Sequence, residues 1–226
     1  MIKKFVSSAF FLLLSTAAFS QNDWSLYAGP QYTSARYRVN DSKQEVENKW
    51  GFHAGASLKI PFENQVFFAP HAYYSMKGFS VALKDRSFPP GEDAVGNDLT
   101  IHTLELAPLL HIDLSSSPSH LFLRFGPAID LAITGREKVL LNSGQTISRQ
   151  MTFSFSNYGL ITSSAVAHLG FITKQGLYLQ GQLSYGLGSL NNADLGPKIR
   201  HTVFGLSIGK YFRRNPNVFD TRPLDR

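Results

Sequence analysis

Eight stretches of the chain alternate apolar side chains with small or polar ones: residues 24–37, 50–60, 65–83, 99–114, 121–134, 152–172, 177–187 and 200–212. A period of two places the two sets on opposite faces of an extended strand. In the second stretch Trp50, Phe52, Ala54, Ala56, Leu58 and Ile60 share one face, and Gly51, His53, Gly55, Ser57 and Lys59 share the other. In the fourth, Leu104, Leu106, Pro108, Leu110, Ile112 and Leu114 oppose Thr103, Glu105, Ala107, Leu109, His111 and Asp113. The sixth is nearly neutral on both faces, and Gly159, Ile161, Ala165, Ala167 and Leu169 form its apolar set by a narrow margin.

The connections alternate long and short: 38–49, 61–64, 84–98, 115–120, 137–151, 173–176 and 191–199. Outer-membrane barrels have tight periplasmic turns and longer surface loops. The pattern therefore predicts an all-β fold, an up-and-down antiparallel transmembrane β-barrel of eight strands with both termini periplasmic. Proline cannot donate to a strand ladder, so Pro30, Pro70, Pro108 and Pro127 are expected at bulges or near strand ends.

A secreted soluble barrel of the lipocalin kind would have the same strand number and the opposite polarity, apolar within and polar without. Three features favour lipid outside. The polar faces carry mostly Gly, Ser, Thr, Gln and His, with an isolated charge or two, where a solvated face would carry many Lys, Glu and Asp. The strands exceed the usual five or six residues of soluble sheets and approach the roughly 9–11 that cross a bilayer at a tilt. Trp24, Trp50, Phe62, Tyr211 and Phe212 fall near strand ends, where aromatic girdles lie.

The first twenty residues follow a different rule. Lys3 and Lys4 precede an apolar run from Phe5 to Leu14, and Ala18, Phe19 and Ser20 make a small-x-small site before Gln21. This reads as a secretory signal peptide over 1–20, followed by a barrel domain over 21–212 and a short periplasmic tail over 213–226. No segment approaches the roughly 20 apolar residues of a spanning helix, so strands must do the crossing. The 226 residues carry a net charge of +6 and no cysteine, which excludes disulfides, thiolate metal sites and a lipidated N-terminal Cys. Lys and Arg form no basic run, so no nucleic-acid partner is expected.

Short patterns along the mature chain carry a family resemblance: Tyr74-Ser75-Met76-Lys77-Gly78, Leu104-Glu105-Leu106-Ala107-Pro108-Leu109-Leu110, Phe125-Gly126-Pro127, Asn157-Tyr158-Gly159-Leu160 and Leu183-Ser184-Tyr185-Gly186-Leu187. In this order they resemble the PorT-like outer-membrane β-barrel proteins of Bacteroidetes. The chain has Asn-Tyr-Gly-Leu where that family usually has Asp-Phe-Gly-Leu, and Leu-Glu-Leu-Ala-Pro where it usually has Leu-Glu-Ile-Pro. The resemblance implies an eight-stranded barrel and a link to protein secretion, and it supplies no catalytic residues.

With these registers Lys59, Lys77, Glu105, Asp113, Arg124 and Asp130 point into a lumen that side chains fill, and Glu105 is expected to pair with Arg124. Phe204, Leu206, Ile208 and Phe212 share the lipid face of the last strand, the expected closing signal. Of the histidines, His53, His102 and His201 are expected near the outer strand ends and His71 and His111 deeper, with no metal-ligand spacing among them. No Gly-x-Ser-x-Gly or phosphate-loop pattern selects catalytic or cofactor-binding residues, so none is assigned. The expected role is a structural or interaction component of the outer membrane, with lipid and other envelope or secretion-complex proteins as partners. A narrow solute or ion pore is the alternative, and a lipid-acting enzyme at the outer rim the second. The tail is read as either a partner-binding segment or a solvated end.

Overall fold

The computed structural model describes residues 23–84, 93–154, 156–193 and 196–212. Ten strands occur in chain order: β1 (Asp23–Val39), β2 (Ser42–Lys43), β3 (Glu45–Glu63), β4 (Val66–Ala82), β5 (Ala94–Asp113), β6 (His120–Leu141), β7 (Thr146–Gln150), β8 (Ile161–Ile172), β9 (Leu177–Gly186) and β10 (Lys198–Phe212). Eight of them pair antiparallel with their neighbours and close into a ring through β10 and β1, where Trp24 lies opposite Phe212 and Arg38 opposite Lys198. β2 and β7 are short additions on β1 and β6. The expected signal peptide over 1–20 and the expected tail over 213–226 lie outside the described residues.

The register fixes the tilt. From Ala28 the paired residues run one way through Ala54, Tyr74 and Leu104 to Leu131, and the other way through Ile208, Leu179 and Phe171 to Leu121. Both routes end on β6, ten residues apart. A stagger of that size around eight strands tilts them by about 40° to the barrel axis. The start of β1, the end of β10 and the tight connections, such as Thr173 to Gly176, share one end, which we term the turn end. Gly176 sits there at φ +80°, where a side chain would be strained. The opposite end is the loop end.

Polarity is inverted relative to a soluble protein. Leu26, Phe52, Phe68, Leu106, Ile129, Leu169, Leu179 and Leu206 are exposed on the outer wall, while Gln31, His53, Glu105, Arg124, Asp130 and Ser207 are buried inside. Water would not favour such a wall, and lipid does. The closing-strand residues Phe204, Leu206, Ile208 and Phe212 all face outward. Aromatic residues mark both limits of the apolar belt: Trp24 stacks on Phe212 at 4.3 Å near the turn end, and Tyr32 meets Trp50 at 5.0 Å nearer the loop end. From Trp24 to Tyr32 is a stretch of nine residues, within the ~9–11 that span a bilayer at this tilt.

Several expectations need correction. The strand expected from residue 152 begins at Ile161. Ser154 and Asn157 hold the preceding segment in local bonds, Asn157 Nδ2 donating to Ser154 Oγ at 3.1 Å, and such bonds compete with a ladder. The expected loops 38–49 and 137–151 are in large part strand, and 84–98 is strand from Ala94, with 85–92 outside the described residues, because pairing runs past the membrane belt wherever the inner face still buries Tyr37, Val39, Val81, Leu99 and Val139. The prolines lie well inside strands. All four point away from the lumen, and Pro30, Pro108 and Pro127 fall in short interruptions of the ladder, between Ala28 and Gln31 against β10 and between Leu106 and Leu110 against β6. Each still faces a partner across its other edge, Phe52 for Pro30 and Ala165 for Pro127.

Candidate functional site

The lumen is filled in layers. At the turn end Lys59 Nζ donates to Asp113 Oδ2 at 2.6 Å and lies 4.0 Å over the Phe67 ring. Asp113 Oδ1 is 2.6 Å from His111 Nε2, and His111 Nδ1 accepts from Arg124 Nε at 2.7 Å. Because Nδ1 accepts, Nε2 carries the ring proton and donates to the carboxylate. Arg124 is wholly buried; its other nitrogens donate to Gln180 Oε1 at 2.8 Å and to the Tyr211 hydroxyl at 2.6 Å, and its guanidinium stacks 4.3 Å over Phe122. Lumenal glycines make this layer possible. A methyl group on Gly170 would lie 2.4 Å from the Phe122 ring, and one on Gly209 would lie 2.3 Å from that of Tyr178.

Above this layer Tyr27, His71 and His168 pack together, the Tyr27 hydroxyl 3.0 Å from His71 Nδ1 and the two imidazoles 5.4 Å apart. Next comes an ion cluster. Lys77 Nζ lies 2.7 Å from Glu105 Oε1 and 2.9 Å from Asp130 Oδ2, with His201 Nε2 at 3.3 Å. Thr103 donates to Glu105 and Ser164 to Asp130, so both carboxylates are bonded from a second side. Tyr37, Phe79, Val81, Leu99, Ile101 and Ile199 then form an apolar layer toward the loop end.

All six charged residues singled out from the sequence face the lumen, in two separate groups: Lys59, Asp113 and Arg124 near the turn end, and Lys77, Glu105 and Asp130 above. The expected Glu105–Arg124 pair does not form. Glu105 lies directly across from Asp130, and Arg124 across from His111, six residues further along the strand or about 20 Å away. Lys77, from the next strand, bridges the two facing carboxylates instead. His53 is not near an outer end: it is buried mid-barrel, with Nε2 2.6 Å from Ser207 Oγ. His102 is half-buried on the outer wall against the Tyr74 hydroxyl, and His201 belongs to the ion cluster.

A cleft of about 350 Å³ opens at the loop end, lined among others by Asn97, Glu137, Arg149, Tyr158 and Asn191. The buried Glu137 carboxylate accepts from Arg149 Nε, from Asn97 Nδ2 at 3.2 Å and from the Tyr158 hydroxyl at 3.0 Å. Burial, and then the neighbouring carboxylate, push the Tyr158 phenol well above its usual pKa, so it stays a donor. Sequence reasoning missed Glu137 because residues 137–151 read as loop. An extra residue at a bulge near Ala132 and Ile133 shifts the alternation, after which Gly135, Glu137 and Val139 point inward.

A wall that is apolar outside and a core that is polar and ionic inside are what the outer membrane selects, and the family comparison agrees. The model of the outer membrane protein β-barrel domain matches residues 19–192. The chain belongs to that family. It is an outer-membrane β-barrel protein. No curated protein matches it. Among solved structures it is similar to the attachment invasion locus protein Ail of Yersinia pestis, solved with the heparin analogue sucrose octasulfate, at 15% identity over 85% of this chain and 99% of that one, TM-score 0.44. Neisserial surface protein A matches at 14% identity over 83% and 97% of the two chains, TM-score 0.43, and OprG of Pseudomonas aeruginosa at 11% over 86% and 97%, TM-score 0.48.

Proposed function

We propose that this protein is a non-catalytic interaction component of the outer membrane, a plugged barrel with its loop end outside the cell and both termini in the periplasm. The ordered PorT-like patterns extend the proposal to a secretion or envelope-assembly complex. The filled lumen is the observation that carries it: stacked aromatic, ionic and apolar layers occupy the bore from Lys59 to Val39, and the loop-end cleft ends on the apolar layer. Such a barrel offers partners its rim, its loops and its tail.

Two measurements test this. Purified protein in planar bilayers is expected to show no large, steady conductance, and extraction in mild detergent to bring down a stoichiometric envelope protein; stable open channels without a partner would favour a pore. An epitope inserted at Ser143, beside the exposed Gly144 turn, is expected to be accessible on intact cells, and one at Pro118 only after the outer membrane is breached. The reverse pattern would overturn the orientation.

A further inference from the structure

The outer wall along the β1–β10 seam changes character in steps. Ala28 faces Ile208, then Tyr32 faces Phe204, Ser34 faces Thr202, Arg36 faces Arg200 and Arg38 faces Lys198. In the direction of the loop end the pairs run apolar, aromatic, hydroxyl, cationic and cationic. All four cations are exposed on this outer face. Like charges directly opposite on neighbouring strands destabilise the pairing, yet here two such pairs stand side by side. Their one ion-pair partner among the described residues is Asp41, 3.6 Å from Lys198 and exposed like it.

Elsewhere at the same end several cations are ion-paired, although Lys43, Arg136 and Lys138 are not among the described residues that pair. Lys49 pairs with Asp98, Arg149 with Glu137, and Lys84 with Glu45. The seam therefore concentrates positive charge that the described residues do not offset, around a hollow of about 430 Å³ lined by Arg36, Arg38, Asp41, Ser189, Lys198 and Arg200. Its height is informative. Arg36 is four residues beyond Tyr32, about 13 Å along the strand and about 10 Å along the membrane normal at this tilt. That level is just above the headgroup layer, which adds some 5–8 Å beyond the hydrocarbon on each side, so long cationic side chains reach back down into it.

We infer that Arg36, Arg38, Lys198 and Arg200 form a binding site for the phosphate groups of an acidic lipid in the leaflet that meets the loop end. The wall below suits the rest of such a molecule: Ser34 and Thr202 offer hydroxyl donors at the glycerol or sugar level, and Tyr32, Phe204 and Ile208 a surface for acyl chains. Arginine binds phosphate in bidentate fashion, and a bound diphosphate group would remove the repulsion between the facing pairs. The site lies on the outer wall, away from the plugged lumen. It rests on the proposed orientation only for which leaflet supplies the lipid.

The test uses the full chain folded in zwitterionic detergent micelles, where orientation plays no part. Diphosphorylated lipid A is titrated in and followed by tryptophan fluorescence, Trp50 lying beside Tyr32. Saturable binding that weakens with salt is expected, and the double variant Arg36→Gln/Arg200→Gln should weaken it by about tenfold or more. Arg136→Gln/Lys138→Gln, on the far wall, should leave it within about twofold. Dephosphorylated lipid A should not bind. Inorganic pyrophosphate should compete only at far higher concentration; if it binds as tightly as the lipid, the ligand is a soluble anion and the lipid assignment fails. Without lipid, the Arg36→Gln/Arg200→Gln variant should convert to the unfolded gel form at the same or a higher temperature than the parent. A lower temperature, or lipid binding unchanged by the substitutions, would overturn the site.

Discussion

Replacing Lys77 by methionine is expected to destabilise the folded barrel by about 3–5 kcal/mol, because it strands two buried carboxylates. Glu105 and Asp130 face each other across β5 and β6, and Lys77 is their shared cation, at 2.7 and 2.9 Å. Urea unfolding in lipid vesicles, followed by heat-modifiable gel migration, measures the change. A second variant separates the lost charge from the lost fit: Lys77→Met with Glu105→Gln and Asp130→Asn removes all three charges at similar volume. It is expected to recover most of the stability, since neutral replacements of buried ion clusters are often tolerated. If the triple variant is no better than the single one, packing rather than charge balance holds this layer.

Ile208→Arg is expected to cost about 2–4 kcal/mol, the depth-dependent cost of a cation at the bilayer midplane. Ile208 lies halfway between Phe204 and Phe212 on the outward face of β10, opposite Ala28. Thr202→Arg on the same face, beyond the aromatic belt, is expected to cost about 0–1 kcal/mol, because its charge reaches the interface. The same unfolding assay reads both. Equal tolerance at the two positions would mean that water, not lipid, covers this wall.

Faces were legible in the sequence, and partners were not. Period-two alternation assigns Leu106 outward and Glu105 inward without knowing any neighbour, because a strand has only two sides. Which charge meets which depends on the register between strands, and a hairpin displaced by a few residues keeps every side chain on its face while exchanging all its neighbours. That is why alternation places Lys77, Glu105 and Asp130 in the lumen without showing that Glu105 meets Lys77 and not Arg124. The loop end was harder for another reason. Above the belt the outer wall meets water, so alternation loses its contrast: Arg36, Lys138 and Glu47 face outward on strands that read as loops or strand ends. The Glu137 cleft and the β1–β10 cation seam both lie there.

The bulges in β3, between Asn48 and His53, and in β6, at Ala132 and Ile133, divide these two strands into a membrane-wall part and a rim part whose inward and outward positions are set independently. In a single uninterrupted strand, gaining or losing one residue near the loops would turn every side chain below it the wrong way, and a cation would enter lipid for each apolar residue withdrawn. With a hinge of phase at the belt's upper edge, a change in length above it can be absorbed where it occurs. The loop-end parts of β3 and β6 are thereby free to vary in sequence and length while the wall below keeps its two faces.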